Sequence, residues 1–191
     1  MVRAFFMFIL LIMIKYLLVT AIDDPYISFV KGLYESAFPE KERRDWEKLL
    51  DMIENTPDMS LQLIEADTQV IGFLVLWSLE DWSFLEYFAI DPEHRGKNYG
   101  AQVMQHLMDL NHTKLILEVE PPKTDDAARR IHFYERSGLH CLPFNYLQPF
   151  YSNPEQSYPM LLMSNAVKKE EAYFTEVISL IKRHVYFKGI K

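Results

Sequence analysis

Two rhythms of apolar positions divide the chain into elements. Over residues 25–38, Ile27, Val30, Leu33, Tyr34 and Ala37 recur at helical spacing, and Pro39 ends the run. Residues 40–55 repeat that rhythm with Trp46, Leu49, Leu50 and Ile53. The period then drops to two. Residues 59–66 and 68–79 read as strands joined tightly at Asp67, and Glu80-Asp81 turns the chain into a third strand over 82–90. A polar loop with two glycines follows, then an amphipathic helix running to Leu107. Residues 114–121 alternate as another strand. Over 124–139, Ala127, Ile131 and Tyr134 share one helical face, with Thr124 or Asp125 as cap and Gly138 as stop. Two shorter strand-like pieces, 139–142 and 158–163, precede a last helix over 168–187. Its apolar face is Phe174, Val177, Ile178, Ile181 and Val185. Strands and helices are interleaved, which predicts an α/β chain with a mixed sheet.

The most informative stretch is residues 84–107, a strand, a Gly-bearing loop and a helix start. That order makes an anion cradle, because loop amides converge where the first helical turn leaves its own N–H groups unpaired. Arg95 and Lys97 add positive charge there. The dinucleotide fingerprint G-x-G-x-x-G is absent, and so is the nucleotide loop G-x-x-x-x-G-K-[ST]. The residues present are Arg95-Gly96-Lys97-Asn98-Tyr99-Gly100-Ala101.

This loop closely resembles the pyrophosphate loop of the GNAT N-acetyltransferase superfamily, [QR]-x-x-G-x-[GA]. Arg95 fits its first position and Gly100 its last, while Asn98 stands where the family usually has a glycine. If that glycine serves a left-handed backbone, Asn is the best substitute; if it serves close approach of a phosphate, the Asn side chain crowds it. The first reading is preferred. Further on, Phe133-Tyr134-Glu135-Arg136-Ser137-Gly138-Leu139 resembles the F-Y-E-x-x-G-F signature of the same superfamily, with Leu139 replacing the last aromatic. Ala127 stands where many members carry an asparagine.

The resemblance implies the GNAT fold. Its central, mostly antiparallel sheet has six to seven strands, splayed between strands 4 and 5 and flanked by helices. It spans residues 14–165, with residues 166–191 as an extra C-terminal helix. It also implies acetyl-CoA as co-substrate. The amides of Phe88, Ala89 and Ile90 would lie along the pantetheine arm, and the loop Arg95, Gly96, Lys97, Asn98, Tyr99, Gly100 and Ala101 would hold the pyrophosphate. One strand amide facing the oxyanion is worth about 2.7–4 kcal/mol in other enzymes. The expected activity is acetyl transfer to a primary amine of a small molecule or protein by direct attack in a ternary complex. The alternative is a non-catalytic acyl-CoA-binding module of the same fold.

Transfer to an amine requires a neutral nucleophile. A lysine-like amine has a pKa near 10.4, so holding it neutral at pH 7 costs roughly 4.6 kcal/mol. A general base offsets part of that, typically about 10² to 10⁴ in rate. Strict alternation puts Glu86 on one face with Phe84, Phe88 and Ile90, a carboxylate on an apolar face where desolvation raises its pKa. Glu118 shares a face with Ile116 and Glu120. Glu86 ranks first as base and Glu118 second, against an exposed or ion-paired carboxylate for either. By resemblance, Tyr134 lies near the coenzyme sulfur and protonates it; its bland reading is a core aromatic. Arg129 and Arg130 read as solvated charges, the other reading being contact with a coenzyme phosphate.

Composition narrows the field. A net charge of −7 argues against nucleic acid, whose phosphates demand a basic face. The single Cys141 makes no internal disulfide and reads as a buried thiol, and six scattered histidines show no metal-ligand spacing, so no metal is expected. Residues 144–159 hold five aromatics and three prolines. They read either as a stiff surface loop or as a wall of the acceptor pocket, where aromatic faces hold a cationic amine.

Residues 1–22 are intensely apolar. A secretory signal, a membrane anchor, and an upstream extension before a first strand at 14–22 all stand. The uninterrupted apolar run, residues 4–14, is 11 residues, too short to span a bilayer, and Lys15 follows. The extension is preferred, with Met13 as the natural start and residues 1–13 outside the domain. A cytoplasmic enzyme without a membrane partner is then expected, since acyl-CoA is available in the cytosol. A homodimer is left open.

Overall fold

The structure is a computed structural model that describes residues 14–110, 114–153, 155–168 and 170–187. The expectations for residues 1–13 lie outside the described residues. Eight strands and five α-helices follow one another as β1 (Ile14–Val19), α1 (Ile27–Ala37), α2 (Trp46–Asn55), β2 (Met59–Ala66), β3 (Gln69–Leu79), β4 (Trp82–Ile90), α3 (Tyr99–Asp109), β5 (Lys114–Val119), α4 (Asp125–Arg136), β6 (His140–Cys141), β7 (Tyr146–Pro149), β8 (Ser157–Ser164) and α5 (Glu171–Ile181). A π-helical turn, Lys182–Tyr186, closes α5.

The strands form one sheet in the order β1-β2-β3-β4-β5-β8-β6, with β7 also paired to β8. All pairings are antiparallel except that of β4 with β5. Eight strands thus stand where six to seven were expected, because β6 and β7 are short pieces along one edge of β8. Residues 144–159 are accordingly not a plain loop, since Tyr146–Pro149 pairs with Ser157–Met160 as a hairpin. The two-residue periodicity there is too short to announce a strand.

Alternation along the strands divides the apolar residues between two cores. Val30, Leu33 and Tyr34 of α1, Leu49 of α2, and Phe174, Val177 and Ile181 of α5 pack on one face with Phe73, Trp77, Phe84 and Tyr87. Val103, Met104 and Leu107 of α3 and Ile131 and Tyr134 of α4 pack on the other with Ile71, Leu74, Leu85 and Leu117. The predicted helix over 40–55 starts late. Residues Glu40–Glu42 form a 3-10 turn, and α2 begins only where the Asp45 side chain accepts from the N–H of Lys48. Among the described residues, no helix is long and apolar enough to cross a membrane.

Candidate active site

Two features of β4 create the site. The first is its parallel pairing with β5, which runs from Trp82↔Lys114 to Leu85↔Leu117 and stops. Past that point residues 87–90 stay with β3, and Glu118 and Val119 stay with β8. The strands part, leaving a cleft whose first two side chains are Glu86 and Glu118. The second feature is a β-bulge. Tyr87 faces Val75 but Leu85 faces Leu76, so Glu86 is the extra residue. The bulge corrects the strict alternation assumed for β4. Phe84, Tyr87 and Ala89 lie in one core, while Leu85, Phe88 and Ile90 lie in the other. Glu86 sides with Phe84 and not with Phe88 and Ile90.

Glu86 is fully engaged. Its carboxylate accepts from Arg44 Nη2 at 2.8 Å, Trp77 Nε1 at 2.6 Å and the Tyr151 hydroxyl at 2.8 Å. The Arg44 and Glu86 side chains are 8 % and 1 % exposed, so this is a buried ion pair with hydrogen bonds on both oxygens. Arg44 comes from the segment before α2. That segment is held by Tyr34, whose hydroxyl donates to the Arg44 carbonyl, and by Tyr87, whose hydroxyl accepts from the Arg44 N–H.

Glu118 stands differently. The hydroxyls of Tyr146 and Tyr186 each donate to one of its oxygens, and no cation pairs with it among the described ion pairs. Burial pushes its carboxyl up to about 7; the two phenols and Lys182 pull down, and neighbouring Glu86 pushes further up. A carboxyl near neutrality is half ionised where a base must work.

A cavity of about 270 Å³ runs between the parted strands, lined by Glu86, Phe88, Ala89, Ile90, Arg95, Glu118 and Tyr134 among others. It also gathers residues the sequence did not single out. Glu42 faces Glu120, and burial, then that second carboxylate, raises the Glu42 pKa. Gln148 is 3 % exposed, with a buried Oε1 that accepts no hydrogen bond. Tyr134 is buried on α4, and burial pushes its phenol up to about 12.

The cavity meets a larger groove of about 810 Å³ through shared walls at Phe88, Ile90, Arg95, Arg130 and Phe133. Gly96, Asn98, Tyr99, Gly100 and Ala101 line the groove, with Arg129 and Arg136 opposite. Lys97 is exposed in the same loop and lines neither space. Gly96 takes φ 79° and Asn98 φ 65°, so residue 98 holds the left-handed conformation that Asn tolerates best. The Asn98 side chain makes no cap to α3, unlike Asp45 at α2 and Thr124 at α4. The N–H groups of Tyr99, Gly100 and Ala101 have no intrahelical acceptor, since the ladder starts with Gln102 N–H to Asn98 carbonyl at 3.2 Å. Uncapped amides, the positive helix end and nearby arginines suit a phosphate. Gly100 leaves little room for a side chain, because a Cβ there would sit 3.3 Å from Phe133 Cζ. Among the described residues, no three His, Cys, Asp or Glu are grouped to hold a metal ion.

The model of the Acetyltransferase (GNAT) family matches residues 27–139. A putative GNAT-family acetyltransferase from Bacteroides thetaiotaomicron has the same fold at TM-score 0.84 and 29 % identity, over 93 % of this chain and 99 % of that one. A chimeric spermidine N-acetyltransferase from Vibrio cholerae aligns at TM-score 0.59 and 16 % identity, over 79 % of this chain and 93 % of its own. An Arabidopsis thaliana protein solved with a CoA bisubstrate analogue aligns at TM-score 0.55 and 15 % identity, over 80 % and 98 %. No curated protein matches by sequence. The family match covers more than half the chain and includes β4, β5 and the loop between β4 and α3, so this protein belongs to the GNAT acetyltransferase family.

Proposed function

We propose that the chain is a cytoplasmic N-acetyltransferase that moves the acetyl group of acetyl-CoA to a primary amine by direct attack in a ternary complex. One observation carries the reading. The parted ends of β4 and β5 set Glu118 and Tyr134 on one cavity, which opens onto the uncapped start of α3. Bound acetyl-CoA would supply the activated acyl group as a thioester. The amides at Tyr99, Gly100 and Ala101 and the Arg95 side of the groove would hold its diphosphate, and the free edge of β4 at Phe88–Ile90 its amide-rich arm.

Glu118 is the proposed base, ahead of Glu86. Glu86 is paired with Arg44 and receives three donors, so both its oxygens are already engaged. Glu118 takes a proton from the incoming ammonium, and the freed nitrogen attacks the acetyl carbon. The C–N bond forms, the C–S bond breaks, and the second proton of the attacking nitrogen passes to the departing sulfur, leaving a neutral amide and a free thiol. With a pKa of about 12, Tyr134 keeps its proton at working pH and serves the departing sulfur as hydrogen-bond donor. A thiolate, whose thiol has a pKa of about 8.5, is a weaker base than the Tyr134 phenolate, so its proton comes from the acylated nitrogen and not from the phenol.

The acceptor is proposed to be a cationic small amine. Of the carboxylates lining the cavity, Glu118 alone has no cation among the described ion pairs, and the orphan Gln148 oxygen is one more acceptor. A polyamine is in keeping with the spermidine acetyltransferase neighbour. The test is amine-dependent thiol release from acetyl-CoA with a panel of mono-, di- and polyamines. Wild type should turn over and Glu118→Gln should lose about 10² to 10⁴ in kcat. Binding of acetyl-CoA without release for any amine would leave only a binding module.

A further inference from the structure

The family match ends at residue 139, yet the cleft is closed by chain well beyond it. The π-helical turn Lys182–Tyr186 ends α5 and turns both Val185 and Tyr186 inward, 0 % and 3 % exposed. It is fastened at two points. Arg44 Nη2, besides its bond to Glu86, donates to the Val185 carbonyl at 2.9 Å, and the Tyr186 hydroxyl donates to Glu118 Oε2. The Tyr186 ring lies against Tyr151, centroids 4.9 Å apart, and Tyr151 in turn bonds Glu86. From the opposite side Tyr146 of β7 donates to Glu118 Oε1. Each carboxylate oxygen of Glu118 therefore has its own phenol, both supplied by residues outside the matched region.

We propose that Tyr186 and Tyr146 are positioning residues that hold the Glu118 carboxylate in its anionic form and aim it into the cleft, so that the C-terminal turn is part of the catalytic apparatus. This rests on Glu118 being the base. A donor to the charged form lowers the pKa of a carboxyl, so deleting either hydroxyl raises it. The other groups facing Glu118 are Glu86 on β4, Lys182 at the start of the turn, Tyr151 after β7 and Tyr158 on β8. Among them Glu86 opposes ionisation and Lys182 favours it. A Tyr→Phe change at 146 or 186 leaves each of these side chains in the sequence.

The test compares pH profiles of kcat/KM for wild type, Tyr186→Phe, Tyr146→Phe and Glu118→Gln, with thermal unfolding and acetyl-CoA affinity measured alongside. Loss of one hydrogen bond to a charged group should move the acid limb upward by about one pH unit. Each phenylalanine variant should then lose roughly tenfold at pH 6 and stay within about twofold of wild type at pH 9. An acid limb that does not move in either variant, or a loss equal at every pH, overturns the proposal even if Glu118→Gln is inactive. If Glu118→Gln keeps wild-type activity and the same limb, the base assignment itself falls, and the positioning role with it.

Discussion

Leu85 and Leu117 face each other as the last paired residues of β4 and β5. The first two carboxylates of the cleft lie one residue beyond them. Glu86 and Glu118 are equivalent in position along their strands, yet their surroundings differ. Glu86 has a buried guanidinium and Glu118 has two phenols. The same residue type thus serves as anchor on one wall and as proposed base on the other.

The elevated Glu118 carboxyl has a consequence for stability. Its folded pKa of about 7 lies above the ordinary carboxyl value of 4.5, so the folded state binds more protons than the unfolded state between those values. Stability contributed by this group must fall as pH rises from about 4.5 to about 7. Glu118→Gln removes that penalty. Its unfolding midpoint relative to wild type should be higher at pH 8 than at pH 5, in scans by calorimetry. A difference of the opposite sign would show that the carboxylate is not held against its ionisation.

Tyr134→Phe should lower turnover at least tenfold and leave acetyl-CoA affinity similar, read by steady-state rates and titration calorimetry. Because the phenol titrates only near 12, the wild-type profile should show no loss from its ionisation below pH 10. Unchanged turnover in the variant would reduce Tyr134 to a core aromatic.

Arg44→Met should cost about 3–5 kcal/mol in denaturant unfolding, since it leaves Glu86 buried without its cation. Glu86→Gln in the Arg44→Met background should recover part of that loss. Additive losses in the double variant would mean that the pair does not act as a unit.

How far the site was legible follows from the range of its contacts. The strand at 59–66 is marked by local alternation, and the loop at 95–101 by its glycines and arginine, so both are readable. Arg44 and Tyr186 are not, and Tyr151 is legible as one ring of an aromatic segment but not as a partner of Glu86. Arg44, Tyr151 and Tyr186 reach Glu86 or Glu118 across 42, 65 and 68 residues, and no periodicity reports a contact of that kind. The bulge at Glu86 was also silent, because neither glycine nor proline marks it. The face drawn for the last helix included Val185 but stopped short of Tyr186, since the π turn departs from the helical period only at its end.

Asn98 offers a separate check on the loop. Asn98→Gly should keep the fold and bind acetyl-CoA about as tightly as wild type, because Asn already tolerates φ 65°. Asn98→Val should lose about 1–3 kcal/mol of stability, since a β-branched residue is strained there. A gain in affinity above tenfold for Asn98→Gly would show instead that the carboxamide crowds a phosphate.

The central claim is that the gap between β4 and β5, with the start of α3, is the seat of a thioester carrier. Amide hydrogen exchange with and without acetyl-CoA reads this residue by residue. Slowed exchange is expected at Phe88 to Ile90 and at Gly96 to Ala101, with β1 and β2 unchanged. Binding that leaves those amides as fast as before, and protects another part of the sheet, would contradict it.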